Sequence, residues 1–485
     1  MRKSVATIRA GAAVSSVLAL LAVACHGALA APLAEWLPVQ EQQSWQHLLE
    51  NISPQMPKLA GEAPPVAGIV VAALQLKDPD YYFHWVRDSA LIMRATAEAF
   101  SLHRPYTNRA IFERQFSDFL KLSRRLQLTP SQYGLGEPRY TVAGEVDTLP
   151  WSRPQYDGPA LRALTVLSYL KVDEAAGLTD QQTRSLAQTV LQTDLDFVTA
   201  VWNQRGFDVW EELRADSYHT RLVQLAALEQ GADWLAHHGQ SPELVSHYRT
   251  IAHSLEPLLD DHWDPTRGFL RSQLAIVATD GYTAKKTDLD SQVIVAVVDA
   301  DRAGPEYSVL DDRVQATVAV LEDLYRESYP INRNQEVGLG YGRYAGDVYF
   351  GGNPWVFITA DFATFYYRLA LRLQQGASLT VSDRNMMFLR AVLPPASGAE
   401  LRRGVTLAPG STMHRELIGA LTMKAERILD RLKSSTPDDG QMYEQIDRQT
   451  GRPASSRGIG WSHAAFLSAV FERQRLLGGA ERLAK

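Results

Sequence analysis

The chain has 485 residues, 45% hydrophobic and 21% charged, with aromatic residues spread throughout, which excludes wholesale disorder and allows a large buried core. With 49 Lys and Arg against 55 Asp and Glu it is net acidic, which argues against nucleic acid or an anionic membrane as a partner held by charge. Its single cysteine, Cys25, excludes an intramolecular disulfide, and a mature chain that has lost it has no thiolate for a metal site.

Residues 1–30 read as a signal peptide. Arg2, Lys3 and Arg9 form a basic start, an apolar stretch runs from Ala12 to Val23, and Ala28-Leu29-Ala30 offers the small residues cut by a signal peptidase before Ala31. A transmembrane anchor is the alternative, but the run is short of the roughly 20 apolar residues a bilayer needs. Ala22-Val23-Ala24-Cys25 also loosely matches a lipoprotein box, so lipidation at Cys25 stays open. Removing Arg2, Lys3 and Arg9 from 49 basic residues leaves 46 against 55 acidic, a mature net charge near −9. The protein is therefore expected to be exported, periplasmic or secreted, and to act as a monomer.

An opening segment covers Trp36–Asn51, and helical starts follow near residues 86, 110, 158, 180, 216, 242, 288, 308, 355, 382, 411 and 460, twelve in all. Leu225, Leu228, Ala232 and Leu235 lie at i, i+3, i+7 and i+10, an amphipathic stripe. Trp355–Ala360 and Val293–Val298 are apolar on nearly all faces, though periodicity leaves the second as a buried helix or strand. Ser117–Arg125 carries a clear polar side. This mixture of enclosed and half-exposed helices predicts an all-α fold of two concentric layers. The Pro-containing stretches Glu62–Pro65, Pro394–Gly398 and Ser434–Gly440 are short, so residues 31–485 are expected to form one domain.

Five separated segments share one character: Asp78–Ser89, Gly134–Arg162, Phe207–Leu213, Gly342–Trp355 and Met442–Gln445, the last followed by Gly460-Trp461-Ser462. Each combines aromatic rings with Arg, Asp or Glu. Pyranose rings are bound by that combination, CH faces on aromatics and hydroxyls on charged groups. In Trp210-Glu211-Glu212, repulsion between adjacent carboxylates and exclusion of water by Trp210 would together favour a protonated general acid. On its own the tripeptide reads first as an acidic turn paired with arginine, and a lone Glu444 says less still. Gly338-Leu339-Gly340-Tyr341-Gly342 lacks the final glycine of a nucleotide loop, no HExxH zinc motif occurs, and no G-x-S-x-G serine elbow occurs.

The five motifs, in this order and spacing, resemble the glucoamylases of glycoside hydrolase family 15, a likeness that covers most of the chain from Asp78 to Ser462. The resemblance implies an (α/α)6 barrel of six inner and six outer helices, with long loops forming a funnel. It implies Glu211 as general acid and Glu444 as general base of an inverting reaction, with no metal or organic cofactor. Arg87, Asp88 and Arg343 match residues that grip the terminal glucose, Glu212 matches one that binds the aglycone sugar, and Tyr81, Trp85, Trp151, Trp355 and Tyr349 match the aromatic wall. The implied substrate is an α-1,4-glucan, with α-1,6-glucans or trehalose as alternatives, or a binding relative without activity. Tyr443 before Glu444 and Leu213–Asp216 depart from the family pattern. No starch-binding module is expected after Ala484, and no β-rich domain before Trp36.

Overall fold

A computed structural model describes residues 33–483, apart from 58, 60, 179, 280–284 and 335. The expected signal peptide and Cys25 lie outside the described residues.

Six helices form a closed inner ring. They are α2 (Val86–Ser101), α4 (Asp157–Ala176), α6 (Tyr218–His237), α8 (Gln292–Ala300), α10 (Val356–Gln374) and α14 (Gly460–Leu483), each packed on the next and α14 back on α2. Outside them stand α1 (33–50), α3 (Arg109–Leu128), α5 (Gln181–Val201), α7 (Pro242–Asp260), α9 (Asp312–Ser328) and α13 (Thr412–Ser435). This is an (α/α)6 barrel.

Burial separates the layers as the sequence pattern demands. All nine residues of α8 are buried, which settles Val293–Val298 as an enclosed helix rather than a strand. In the outer α3, Phe112, Phe116, Phe119, Leu120 and Leu122 face inward, while Asn108 caps the N-terminus by accepting from the Ile111 N–H. Two expectations are corrected. The stripe in α6 is not amphipathic: Tyr218 through Leu228 are buried with the exception of Arg221, because an inner helix is covered on both flanks and behind. Its polar residues find partners instead, Gln224 donating to the Tyr156 carbonyl at 3.3 Å. The twelve barrel helices are also not the twelve expected. The start near 382 yields only the short α11 (Met386–Val392), stopped by Pro394 and followed by α12 (Pro395–Glu400). The missing outer member is α1, where Trp36 meets Phe466 of α14 edge-on at 5.5 Å and Glu41 receives Arg104 at 2.7 Å.

The polarity of the ring decides where chemistry can sit. The outer helices α3, α5, α7, α9 and α13 are capped by Asn108, Asp180, Ser241, Asp311 and Ser411. The inner helices α2, α4, α8 and α10 have no side-chain cap. Their N-terminal ends, bearing the positive pole of the helix dipole, converge at one end of the barrel among the long loops. Carboxylates are favoured there. No helix among the described residues is long and apolar enough to cross a membrane.

Candidate active site

All eleven site residues expected from sequence line one cavity of about 430 Å³ at that end: Tyr81, Trp85, Arg87, Asp88, Trp151, Glu211, Glu212, Arg343, Tyr349, Trp355 and Glu444. The segments that carry them are far apart in sequence and meet only because each enters the barrel beside an inner-helix N-terminus.

Glu211 sits in the turn between the antiparallel strands Gly206–Phe207 and Leu213–Ser217. Asp208 ties the turn, its carboxylate accepting from the Glu212 N–H at 2.9 Å and the Leu213 N–H at 3.2 Å. Glu211 itself is held at φ 65°, a left-handed conformation that costs a non-glycine residue energy and that concentrates at functional sites. Oε1 accepts from the Trp85 indole at 2.9 Å, the Gln155 carboxamide at 2.9 Å and the Arg87 guanidinium at 3.1 Å. Oε2 accepts from the Trp151 indole alone, at 2.8 Å.

The expected crowding around Glu211 is not what the fold builds. Glu212 pairs with Arg343 at 3.0 Å and accepts from the Tyr344 hydroxyl at 2.6 Å. Trp210 sends its indole N–H to Asp290, at 3.0–3.1 Å. Consecutive carboxylates thus serve separate partner sets, because the left-handed turn points them apart. Burial still raises the Glu212 carboxyl above its ordinary range, against the pull of Arg343.

Glu444 lies on the hairpin Tyr443–Ile446 with Pro453–Arg457, at a register shift between Tyr443 and Gln445. It is 2% exposed. Tyr81 donates to its Oε1 at 2.7 Å, and Ser455, itself left-handed at φ 63°, donates to Oε2. Tyr81 also shares a 2.6 Å hydrogen bond with Tyr349. Burial pushes the Glu444 carboxyl up to about 7, against the two hydroxyl donors. Asp88 in the first turn of α2 is pushed to about 6 by burial, with Arg87 opposing.

Arg343 is buried and doubly committed, to Asp347 at 2.5 and 2.8 Å and to Glu212, with its Cζ 5.2 Å from the Tyr349 and Trp355 ring centres. Its planar fork and aromatic box suit a guanidinium and not an ammonium.

Several residues that hold the cavity's side chains in place escaped the sequence reading. Gln155 and Asp157 stand inside the Gly134–Arg162 segment; Asp157 holds Arg87 at 3.0 Å. Arg139, paired in register with Trp85, stacks its guanidinium on Trp151 at 3.6 Å, Phe83 at 4.4 Å and Trp85 at 5.0 Å, and binds Asp147 at 2.6 Å. It is the base on which both Glu211-binding indoles rest. Ser455, eleven residues after its partner, left no local signal. Among the described residues no group of three or more His, Cys, Asp or Glu side chains is placed to hold a metal ion.

Residues 42–471 match the family model described as glycosyl hydrolases family 15. The chain is 30% identical over 442 residues to "Glucoamylase-1" of Schizophyllum commune, an alignment covering 89% of this chain and 72% of that protein. It is 29% identical over 468 residues to "Glucoamylase" of Blastobotrys adeninivorans, covering 92% and 72%. Among solved structures it superposes on the glucoamylase of Saccharomycopsis fibuligera with a TM-score of 0.82 at 25% identity, covering 92% of this chain and 96% of that one. The family 15 glucoamylase of Hypocrea jecorina superposes with a TM-score of 0.78 at 28% identity, covering 92% and 72%. A family match over most of the chain, on a closed double ring of helices with its acidic cavity at the inner N-termini, places this protein in glycosyl hydrolases family 15.

Proposed function

We propose that this protein is an exo-acting, inverting α-glucosidase that releases β-D-glucose from the non-reducing ends of α-1,4-linked glucans, with Glu211 as general acid and Glu444 as general base. The carrying observation is that these two carboxylates, 233 positions apart in sequence, line one cavity with the aromatic and arginine set around them. In this mechanism Glu211 protonates the glycosidic oxygen as Glu444 takes a proton from a water attacking the anomeric carbon on the opposite face. Inversion requires room for that water, so the carboxyls of the substrate complex should stand about 6.5–9.5 Å apart. The buried position of Glu444, which pushes its carboxyl to about 7, suits a base that works near neutrality.

The remaining roles follow from chemistry. Arg87 and Asp88, beside the uncapped N-terminus of α2, offer a donor and an acceptor to the terminal sugar's hydroxyls. Asp88 also favours the positive charge that develops on the ring. Glu212, beyond Glu211 in the same cavity, is assigned to the first aglycone sugar. The relatives' printed names, glucoamylase, support the α-1,4 linkage. The basic and apolar start of the chain supports export, and the unbroken body supports a single catalytic domain from 31 to 485.

Incubation with maltotriose, isomaltotriose and trehalose tests the linkage, with the highest kcat/KM expected on maltotriose. Preference for either of the others moves the assignment to an α-1,6 or trehalose-cleaving enzyme. Proton NMR of the first product should show the β-anomer; the α-anomer first excludes inversion.

A further inference from the structure

A second cavity, of about 410 Å³, lies inside the same barrel beyond the C-terminal halves of α2, α8 and α10. It is nearly as large as the first, and Trp461 belongs to the wall of both. Five basic and five acidic side chains line it. The basic ones suit the place, since inner-helix C-termini carry the negative pole of the dipole.

Their pairing is incomplete. Asp301, left-handed at φ 44° just past the end of α8, meets Arg368 at 3.2 Å, Arg372 at 3.6 Å and Arg94 at 3.9 Å, long contacts in place of a bidentate pair. Arg372 Nε has no hydrogen-bond partner, and neither has Oδ2 of Asp361, a residue 3% exposed. Buried polar groups of this kind are costly unless something satisfies them. Burial, with Asp299 beside it, raises the Asp361 carboxyl well above its ordinary range, against the pull of Arg368.

The charge balance selects the ligand. An anion seated here would face Asp301 and its acidic neighbours, and a cation would face the arginines. A neutral molecule with several hydroxyls meets neither repulsion: it accepts from Arg372 Nε and donates to Asp361 Oδ2. Leu91, Leu371 and Trp461 supply apolar surface for its CH groups. We propose that this rear cavity is a second sugar site, binding one neutral polyol of monosaccharide size, with D-glucose as the available example. The choice of glucose rests on the proposed function; the polyol chemistry does not. Trp461 stacks on Phe357 at 3.9 Å and lies 5.8 Å from the Arg87 guanidinium, so occupancy behind it is felt at the catalytic cavity.

The test is titration of the full chain with D-glucose, together with glucose inhibition of maltotriose hydrolysis. Two glucose sites and mixed inhibition are expected. Asp361→Leu should remove one site and leave purely competitive inhibition, with kcat and KM within about twofold of the parent. Asp361→Asn, whose amide both donates and accepts, should keep both sites. Arg372→Met should weaken the same site at least tenfold, which gives a second route should Asp361→Leu fail to fold. One glucose site with purely competitive inhibition in the parent overturns the proposal. Displacement of the second glucose by inorganic phosphate also overturns it, in favour of an oxyanion site. If maltotriose proves a poor substrate the proposed function fails, while the two-site titration still decides this one.

Discussion

The Glu211 carboxylate accepts four hydrogen bonds, all from N–H groups of Trp85, Trp151, Gln155 and Arg87, whereas the Glu444 carboxylate accepts two, both from hydroxyls. Indole and guanidinium N–H groups donate and cannot accept. They fix the Glu211 carboxylate in one orientation and must partly release it before an oxygen can carry a proton. Oε2, with the single donor Trp151, is the oxygen from which a proton can be handed on at least cost. Hydroxyls turn freely between donating and accepting, so Tyr81 and Ser455 can stay bonded to Glu444 in either protonation state. Position is secured on one wall, and proton exchange on the other.

Removing the carboxylate on the first wall should have the largest effect. Glu211→Gln keeps acceptor and shape but cannot give a proton, so kcat on maltotriose should fall by about 10²–10⁴ with KM little changed. Normal kcat in that variant would reassign the acid.

Next comes the support beneath the wall. Arg139→Met removes the guanidinium from under Trp85 and Trp151 and leaves Asp147 with the weaker contact of Arg153 at 3.4 Å. Breaking a buried pair on one side costs about 3–5 kcal/mol. Denaturant titration should show that loss, and kcat/KM should fall further than folded fraction accounts for. Arg139→Lys should not rescue it, because an ammonium lacks the planar face. Unchanged kcat/KM would mean that the indoles hold their places unaided.

The proton-exchanging wall has a cost visible in stability. The Glu444 carboxyl, raised from an ordinary 4.5 to about 7, keeps its proton in the folded state at pH values where the unfolded chain has lost it. Its contribution is therefore fully present below about pH 4.5 and lost as the pH rises through about 7. Glu444→Gln carries no such penalty. At pH 8 it should be more stable than the parent by up to about 3 kcal/mol, and at pH 4 the two should converge. A stability gap that does not change between those pH values would mean the burial of Glu444 is relieved in solution.

Much of this was legible in the sequence because periodicity and composition act locally. The starts of α2, α7, α10 and α14 are as expected, since Pro242, the Asn-Pro-Trp before α10 and the apolar runs act on their own neighbourhoods. The inner position of α6 was not legible, because its polar His219 and Gln224 look solvent-facing until their partners across the barrel are known. The same limit governs the site. The glutamates, arginines and rings that match the family pattern were found, whereas Arg139, though inside the Gly134–Arg162 segment, and Ser455 act through stacking and a left-handed hairpin residue that only the fold assembles.

The finest difference between the two walls is in the hydroxyls. Ser455 and Tyr81 each lower the Glu444 carboxyl against its burial, so deleting either should raise it further. A hydrogen bond to a charged group is worth about 1.5–3 kcal/mol, and 1.4 kcal/mol is one pH unit, so Ser455→Ala should move the acid limb of kcat/KM upward by about one unit. The direction is fixed: the base must be ionised to act, and a raised carboxyl ionises later. Tyr81→Phe should move the limb the same way but also disturb Tyr349, which loses its 2.6 Å partner in the cavity proposed to bind the sugar, so its KM should rise where that of Ser455→Ala does not. A limb that stays put in both variants would place the titrating base elsewhere than Glu444, and the contrast between the walls would then concern packing and not proton transfer.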